Sequence, residues 1–200
     1  CGHYLAHYGA DVVKVELPGR GDVLRTGGGG KASVDEGVTV GFATVNAGKR
    51  SIVLDLKTGD GAAALLALAR EADVFIENFR PGVVERLGLG YDAVRAVNPR
   101  IVYAGVFGFG RDGPYAARPA YDDLIQGASG LAHLMTVSGS DEPRYVPSAI
   151  ADRIVGQVAV GAILAALLER TRSGLGQQVD VPMFETMAGL VLGDHLGGMS

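Results

Sequence analysis

Short runs of β-branched and aromatic residues recur along the chain, and segments with helical spacing of apolar residues separate them. The runs predict strands at residues 11–16, 51–56, 73–77, 101–107 and 177–181. The helical patterns cover residues 58–72, 81–86, 91–97, 121–135, 152–172 and 184–196. Strands that alternate with helices predict an α/β fold, a doubly wound, mainly parallel, Rossmann-like sheet with flanking helices.

Two segments depart from this alternation. Residues 17–48 are rich in glycine and predict a loop, in which Gly27–Gly30 are expected to be flexible. The longest apolar run, residues 154–168, is shorter than the roughly 20 residues of a membrane span. It is bracketed by charged residues, and it therefore predicts a buried core helix and no membrane partner.

Composition narrows the class of protein. The chain has 200 residues, is 48% hydrophobic and has a mean hydropathy of +0.22, which is enough for one domain or most of one. A net charge of −4 and a pI near 5.5 give no basic surface for nucleic acid. Cys1 is the only cysteine, which excludes a disulfide framework and a cysteine metal site and favours a reducing, cytoplasmic compartment.

One carboxylate, Asp152, stands between the turn around Pro147 and the longest apolar helix. A helix N-terminus carries roughly half a positive charge, so we expect Asp152 to stay ionised and to be able to act as a nucleophile. The alternative is an ordinary N-cap, because Asp is among the residues preferred there.

Two glycine motifs resemble the dinucleotide fingerprint. Residues 108–113 match it and follow a predicted strand, but Pro114 and Pro119 interrupt the segment in which a helix would have to begin. Residues 88–93 follow a helix instead of a strand, which favours a turn. His3 and His7 are expected to share a helix face as structural or surface residues, and no metal site is predicted.

Several cations and one aromatic turn follow predicted strands, at the edge where α/β proteins bind ligands. Lys57, Arg86 and Arg118 are candidate phosphate contacts, with solvent exposure as the alternative for each. Asn78, Phe79 and Arg80 bring an amide, a ring and a guanidinium together before a predicted helix. That set suits a nucleotide with phosphates, or else a turn capped by Asn78.

The chain resembles the class III coenzyme A transferases, the CaiB/BaiF group, over nearly its whole length. The resemblance rests on ordered motifs: GADVVKVE (9–16), NAGKRSIVLD (46–55), ADVFIENFRPG (72–82), GFG and GPY (108–110 and 113–115), RPAYD (118–122) and GLGQQVD (174–180). It implies that Asp152 is the catalytic aspartate. It also implies a coenzyme A site at or beside Leu54, Lys57, Asn78, Phe79, Arg80, Arg86, Arg118 and Tyr121.

The resemblance implies a mechanism and partners as well. Asp152 would attack an acyl-CoA thioester to give a mixed anhydride and then an aspartyl-CoA thioester, and a small carboxylic acid would reverse these steps. Backbone N–H groups at the helix start would stabilise the oxyanions. The family also implies an interlocked homodimer.

Departures from the family pattern leave alternatives open. Leu17 stands where many members carry an arginine near the nucleotide, and Arg20 is a candidate substitute. The family's first strand and its smaller second domain are expected outside residues 1–200, so the chain is interpreted as a partial large domain. An α-methylacyl-CoA racemase would carry a histidine at the position of Tyr121, with His133 as a nearby substitute. An inactive CoA-binding fragment is the third hypothesis.

Overall fold

A computed structural model describes residues 1–26, 33–34, 38–137, 139 and 141–195 of the chain. The helices are α1 (Gly2–His7), α2 (Val40–Asn46), α3 (Gly59–Glu71), α4 (Val83–Arg86), α5 (Tyr91–Val97), α6 (Asp122–Ala128), α7 (Leu131–Val137), α8 (Ile150–Ser173) and α9 (Met183–Gly193). The strands are β1 (Val12–Glu16), β2 (Ser33–Val34), β3 (Val38–Thr39), β4 (Lys49–Val53), β5 (Val74–Glu77), β6 (Val102–Phe107) and β7 (Gln178–Pro182).

The long strands pair in parallel, which confirms the predicted α/β class. β1 pairs with β4, and a separate sheet has the order β5-β6-β7. Its register places Glu77 opposite Gly105, and Gly105 opposite Asp180. The parallel strands therefore divide into two sheets, where the sequence predicted one. The short strands β2 and β3 form an antiparallel pair.

Local sequence signals account for several boundaries. The Thr58 side chain accepts a hydrogen bond from the Gly61 amide at 3.0 Å and caps α3. At the other end of α3, the Asn98 side chain donates to the carbonyls of Ala69 and Ala72, both at 2.9 Å. Gly174 ends α8 in the left-handed conformation, with φ of 74°.

The predicted elements appear within a few residues of their expected bounds, with two corrections. The helix predicted at residues 121–135 is broken into α6 and α7, because Gly130 adopts φ of +85° between them. The predicted loop at residues 17–48 contains a short 3₁₀ helix (Val23–Arg25), β2, β3 and α2. Gly27–Gly30 and the last residue of the helix predicted at 184–196 lie outside the described residues.

Helix α8 is the central core element. Its buried residues contact β6, β7, α6, α9 and α1; they are Ala151, Val155, Gly156, Ala159, Val160, Ile163 and Ala166. By length and composition alone, α8 is also apolar enough to cross a membrane. Its contacts with both β6 and β7 are those of the core helix that the sequence predicted. This packing fixes the first turn of α8, which carries Asp152.

Candidate active site

Asp152 lies in the first turn of α8, three residues after the N-cap position. That position belongs to Ala149, which offers no side-chain cap. The carboxylate of Asp122, at the start of α6, supplies a cap from another helix, because its Oδ1 accepts a hydrogen bond from the Asp152 amide at 2.9 Å. The N-cap interpretation of Asp152 is therefore wrong.

The Asp152 carboxylate is exposed to solvent. Within the residues that the structure describes, neither of its oxygens takes part in a hydrogen bond or an ion pair. Surrounding protein atoms displace part of its water, and this desolvation, followed by the nearby negative charge of Asp122, raises the pKa of Asp152. Arg153 acts in the opposite direction. The net effect opposes the one expected from the helix N-terminus alone, and a raised pKa strengthens the carboxylate as a base and nucleophile.

A buried amide, Gln126, joins α6 to the segment that leads into α8. Its Nε2 donates to Asp122 Oδ2 at 2.6 Å and lies 3.2 Å from the Ser148 carbonyl oxygen. Its Oε1 accepts from the Val146 amide at 2.8 Å. The turn before Asp152 and the carboxylate that caps Asp152 are therefore held by one side chain.

The predicted CoA contacts follow the carboxyl ends of parallel strands. Leu54 comes directly after β4 and Lys57 lies four residues beyond its end, while Asn78, Phe79 and Arg80 come directly after β5. The Phe79 amide donates to Glu77 Oε2 at 2.8 Å, which shapes the turn that Asn78 was predicted to cap.

The other predicted contacts lie on α4 and in the segment after β6. Arg86 is exposed at the end of α4. Arg118 lies in the segment after β6, with its guanidinium 4.3 Å from the centre of the Tyr115 ring. Tyr121 is 71% exposed and occupies the N-cap position of α6, next in sequence to the residue that caps Asp152. Of the predicted binding residues, Tyr121 is thus the one whose neighbour in the chain contacts Asp152.

Four cations are predicted to bind the phosphates of coenzyme A. In the part of the chain that the structure describes, Lys57, Arg80, Arg86 and Arg118 form no ion pair. Several other arginines are paired, as Arg25 is with Glu16 and Arg170 is with Asp73. An unpaired and exposed cation can bind a phosphate without first breaking an internal contact.

Arg111 forms a charge cluster that the sequence did not reveal. It lies 3.0 Å from Asp180 and 3.4 Å from both Glu77 and Glu85, with its guanidinium over the Phe107 ring. Glu77 is nearly buried, and burial raises its pKa although Arg111 opposes this. The register of β5-β6-β7 brings Glu77 and Asp180 together, and Glu85 reaches Arg111 from α4, so the cluster depends on tertiary structure that a local sequence pattern does not show.

Close packing explains the glycines of the false dinucleotide motif. No helix follows Gly108 directly, and the next helix begins at Asp122, as the prolines predicted. A Cβ at Gly108 would lie 2.2 Å from that of Ala120, and one at Gly110 would lie 2.6 Å from a Glu185 oxygen. These glycines therefore permit close packing. Gly88 likewise adopts φ of +70° in a turn between α4 and α5.

A cavity of about 440 Å³ lies beside Arg111, and Asp152 is not among its lining residues. Its lining consists of Glu85, Gly88, Gly90, Tyr91, Asp92, Ala93, Tyr103, Arg111 and Gln178. None of the predicted CoA contacts is among these residues.

The histidines at the chain start lie together on α1, with the rings of His3 and His7 4.2 Å apart. They share a helix face, as the sequence predicted. Among the described residues, no group of three or more His, Cys, Asp or Glu side chains is placed to hold a metal ion.

The fold and the site together define a class of protein. It is an α/β protein with parallel sheets, and the carboxylate at the start of its core helix has no hydrogen-bond partner among the described residues. The sequence model of CoA-transferase family III matches residues 1–197. The chain belongs to CoA-transferase family III.

Similar proteins agree with this assignment. The chain is 44% identical over 196 residues to an acyl-CoA transferase of Fusarium pseudograminearum, covering 96% of this chain and 43% of that protein. It is 39% identical over 200 residues to a succinate–glutarate CoA-transferase of Agrobacterium fabrum, covering 98% and 49%.

A solved CaiB/BaiF family protein from Brucella suis superposes with a TM-score of 0.91 at 40% identity. The match covers 99% of this chain and 52% of that one. The chain thus spans about half the length of the relatives it matches.

Proposed function

We propose that the protein transfers coenzyme A from an acyl-CoA donor to a carboxylic acid, with Asp152 as the nucleophile. The observation that supports this most directly is the Asp152 carboxylate itself. Both of its oxygens are free of protein partners within the described residues, while its backbone is fixed by Asp122. A nucleophile needs free lone pairs on a rigid support, and Asp152 has both.

The first half of the reaction charges the enzyme. A carboxylate oxygen of Asp152 attacks the donor thioester carbonyl, the C–S bond breaks, and CoA leaves as a thiolate, which gives a mixed anhydride. The thiolate then attacks the aspartyl carbonyl and expels the donor as a free carboxylate. Asp152 now carries CoA as a thioester, so the energy of the original thioester is conserved.

The second half reverses these steps with the acceptor. The acceptor carboxylate attacks the aspartyl thioester and expels the CoA thiolate, which forms a second anhydride. The thiolate attacks the acceptor's acyl carbon, the anhydride C–O bond breaks, and Asp152 is regenerated as a carboxylate. Every bond change uses carboxylate oxygens and the CoA sulfur, so the electrons balance.

Oxyanion stabilisation by the first turn of α8 is more limited than the sequence suggests. The Ile150 amide donates to the Ser148 carbonyl, and the Arg153 amide donates to the Ala149 carbonyl. Asp122 takes the Asp152 amide. Ala151 carries the remaining first-turn amide, but this residue is fully buried, so we assign no oxyanion contact to this turn.

CoA binding is assigned to the predicted contacts, where the unpaired cations Lys57, Arg80, Arg86 and Arg118 would hold the phosphates. Between the half reactions, these contacts would keep the expelled thiolate close to Asp152. We propose acyl-CoA and a small carboxylic acid as the partners. A homodimer and a cytoplasmic location remain predictions.

Trapping of the charged enzyme tests this function. The complete gene product that carries this sequence is incubated with an acyl-CoA donor and then with hydroxylamine, which converts an aspartyl anhydride or thioester into a hydroxamate. Mass spectrometry of the Asp152 peptide should show the modification, while the peptide that carries Asp112 serves as an internal control. An unmodified Asp152 peptide during turnover would reject the mechanism.

A further inference from the structure

We propose that Gln126 is a positioning residue for Asp152, so that acyl transfer, and not CoA binding, depends on its amide. This inference rests on the proposed function and adds a residue to it. Gln126 does not reach the carboxylate of Asp152. It acts through Asp122 and through the turn before α8.

The first step of the argument is burial. Gln126 is 1% exposed in α6, next in sequence to the fully buried Ile125. An amide in such a place costs free energy unless its donors and acceptor are satisfied. Here the donors and the acceptor of the amide all have partners. These partners are Asp122, which caps Asp152, and the segment that leads into α8.

The second step is the identity of those partners. Oε1 accepts from the Val146 amide at 2.8 Å, and Nε2 faces the carbonyl oxygens of Val146 and Ser148 at 3.4 and 3.2 Å. Residues 146–148 lead directly into the first turn of α8. If the Gln126 amide were flipped, its Nε2 group would face the Val146 N–H, and two donors would oppose each other. The hydrogen bonds therefore fix which end of the amide faces Val146.

The third step is the contact with Asp122. Nε2 donates to Asp122 Oδ2 at 2.6 Å, and the other oxygen of the same carboxylate accepts from the Asp152 amide at 2.9 Å. Gln126 therefore sets the orientation of the group that caps Asp152. That group also contributes to the raised pKa of Asp152. Displacement of a reacting group by about 1 Å can lower a rate about 100-fold.

Gln126→Glu tests the proposal, because it keeps the shape and replaces the donor by a second carboxylate next to Asp122. Repulsion between the two carboxylates should keep the new Glu protonated to unusually high pH, and its protonated form can again donate to Asp122. We expect kcat to fall about 30-fold at pH 7.5, with Kd for CoA changed less than about threefold. The ratio of variant to wild-type kcat should rise at least fivefold as the pH falls to 5.5.

Two further variants complete the design. Gln126→Met has a similar volume and no donor, so it should lose kcat without recovery at low pH. Gln178→Glu is the matched control, since Gln178 is an exposed glutamine on β7 whose side-chain amide donates to Asp180 at 3.1 Å. It should leave kcat within about twofold at both pH values.

The outcomes separate this inference from the proposed function. An Asp152 adduct in wild-type protein, with a pH-dependent loss of kcat in Gln126→Glu, supports both. A wild-type adduct with a flat kcat ratio across pH, or with parallel losses of kcat and CoA binding, would overturn the role of Gln126 alone. If Gln126→Glu does not fold, Gln126→Met decides by the same kcat and Kd comparison. Failure of both variants to fold would make Gln126 structural and overturn the proposal.

Discussion

Two carboxylates of this chain, Glu16 and Asp152, show how surroundings decide what an acidic side chain does. Glu16 is 5% exposed, and both of its oxygens are occupied, with Arg25 at 2.7 and 2.8 Å and the Ser51 hydroxyl at 2.6 Å. Its pKa is lowered to about 2, chiefly by the hydrogen bonds to Arg25. Asp152 is exposed, its oxygens have no described partner, and its pKa is raised.

Burial by itself would suggest the opposite order, because it raises the pKa of a carboxylate. The supply of donors decides the difference. At Glu16, one guanidinium, one hydroxyl and the Asp22 amide outweigh desolvation. At Asp152, desolvation raises the pKa, and the negative charge of Asp122 adds to this effect. Glu16 is therefore held in place by its hydrogen-bond donors, whereas the oxygens of Asp152 have no partner among the described residues.

Asp152→Ala should produce the largest effect on activity. Removal of the nucleophile should lower transfer on the order of a thousand-fold or more, while Kd for CoA stays within about threefold. The assay follows product acyl-CoA by chromatography and CoA binding by calorimetry. Asp112→Ala, an exposed acid in the segment after β6, is the control. Equal losses of transfer and CoA binding would make Asp152 a structural residue and erase its contrast with Glu16.

Glu16→Gln should mainly affect stability. It leaves the Arg25 guanidinium next to a neutral amide, and we expect a loss of about 2 to 3 kcal/mol in the free energy of unfolding. Denaturant titration of the complete protein measures this. Asp11→Asn serves as control, because Asp11 and Arg50 form an exposed ion pair that should contribute less than about 1 kcal/mol. Similar losses in both variants would contradict the claim that Glu16 is specially locked.

The two carboxylates should also differ in their effect on stability at acid pH. The lowered pKa of Glu16 means that its contribution is complete above pH about 4.5 and is lost as the pH falls through about 2. Between pH 7 and pH 3 this loss amounts to about 2 kcal/mol.

The raised pKa of Asp152 has the opposite sign, so its ionisation lowers stability as the pH rises above 3.8. Unfolding curves at both pH values should therefore show a flatter pH dependence for Glu16→Gln than for wild type. For Asp152→Asn, the loss of stability toward low pH should be steeper than in wild type. The same direction of change in the two variants would contradict this difference in sign.

The fold was largely predictable, because its long elements have strong patterns. The strand of residues 101–107 and the apolar helix of residues 152–172 differ from β6 and α8 by at most two residues at each end. The region of residues 17–48 was missed because its elements are short and depend on tertiary contacts. There, Thr39 caps α2 through a hydrogen bond to the Phe42 amide, and the Arg25 guanidinium lies 3.9 Å from the centre of the Phe42 ring.

The candidate site was predictable only in part, for a physical reason. Asp152 could be proposed from its place at the start of an apolar helix, and the cations could be proposed from their places after strands; both stay predictions. Asp122 and Gln126 lie 30 and 26 residues before Asp152 in the sequence, and their contacts exist only once α6 packs against α8. A local sequence pattern cannot show that Asp122, which lies on α6, caps the first turn of another helix, α8.

Arg86→Ala should give the smallest effect. It compares Arg86 with Arg25, an arginine that is bound to a carboxylate. Arg86 is exposed at the end of α4 with no ion pair in the described part of the chain, whereas Arg25 is held by Glu16. If Arg86 contacts a CoA phosphate, its removal should raise Kd for CoA about three- to tenfold and leave the free energy of unfolding within about 0.5 kcal/mol. Arg70→Ala, at the exposed end of α3, is the matched control and should change neither quantity. Calorimetric titration with CoA measures the difference, and equal affinities of the two variants would remove Arg86 from the nucleotide site.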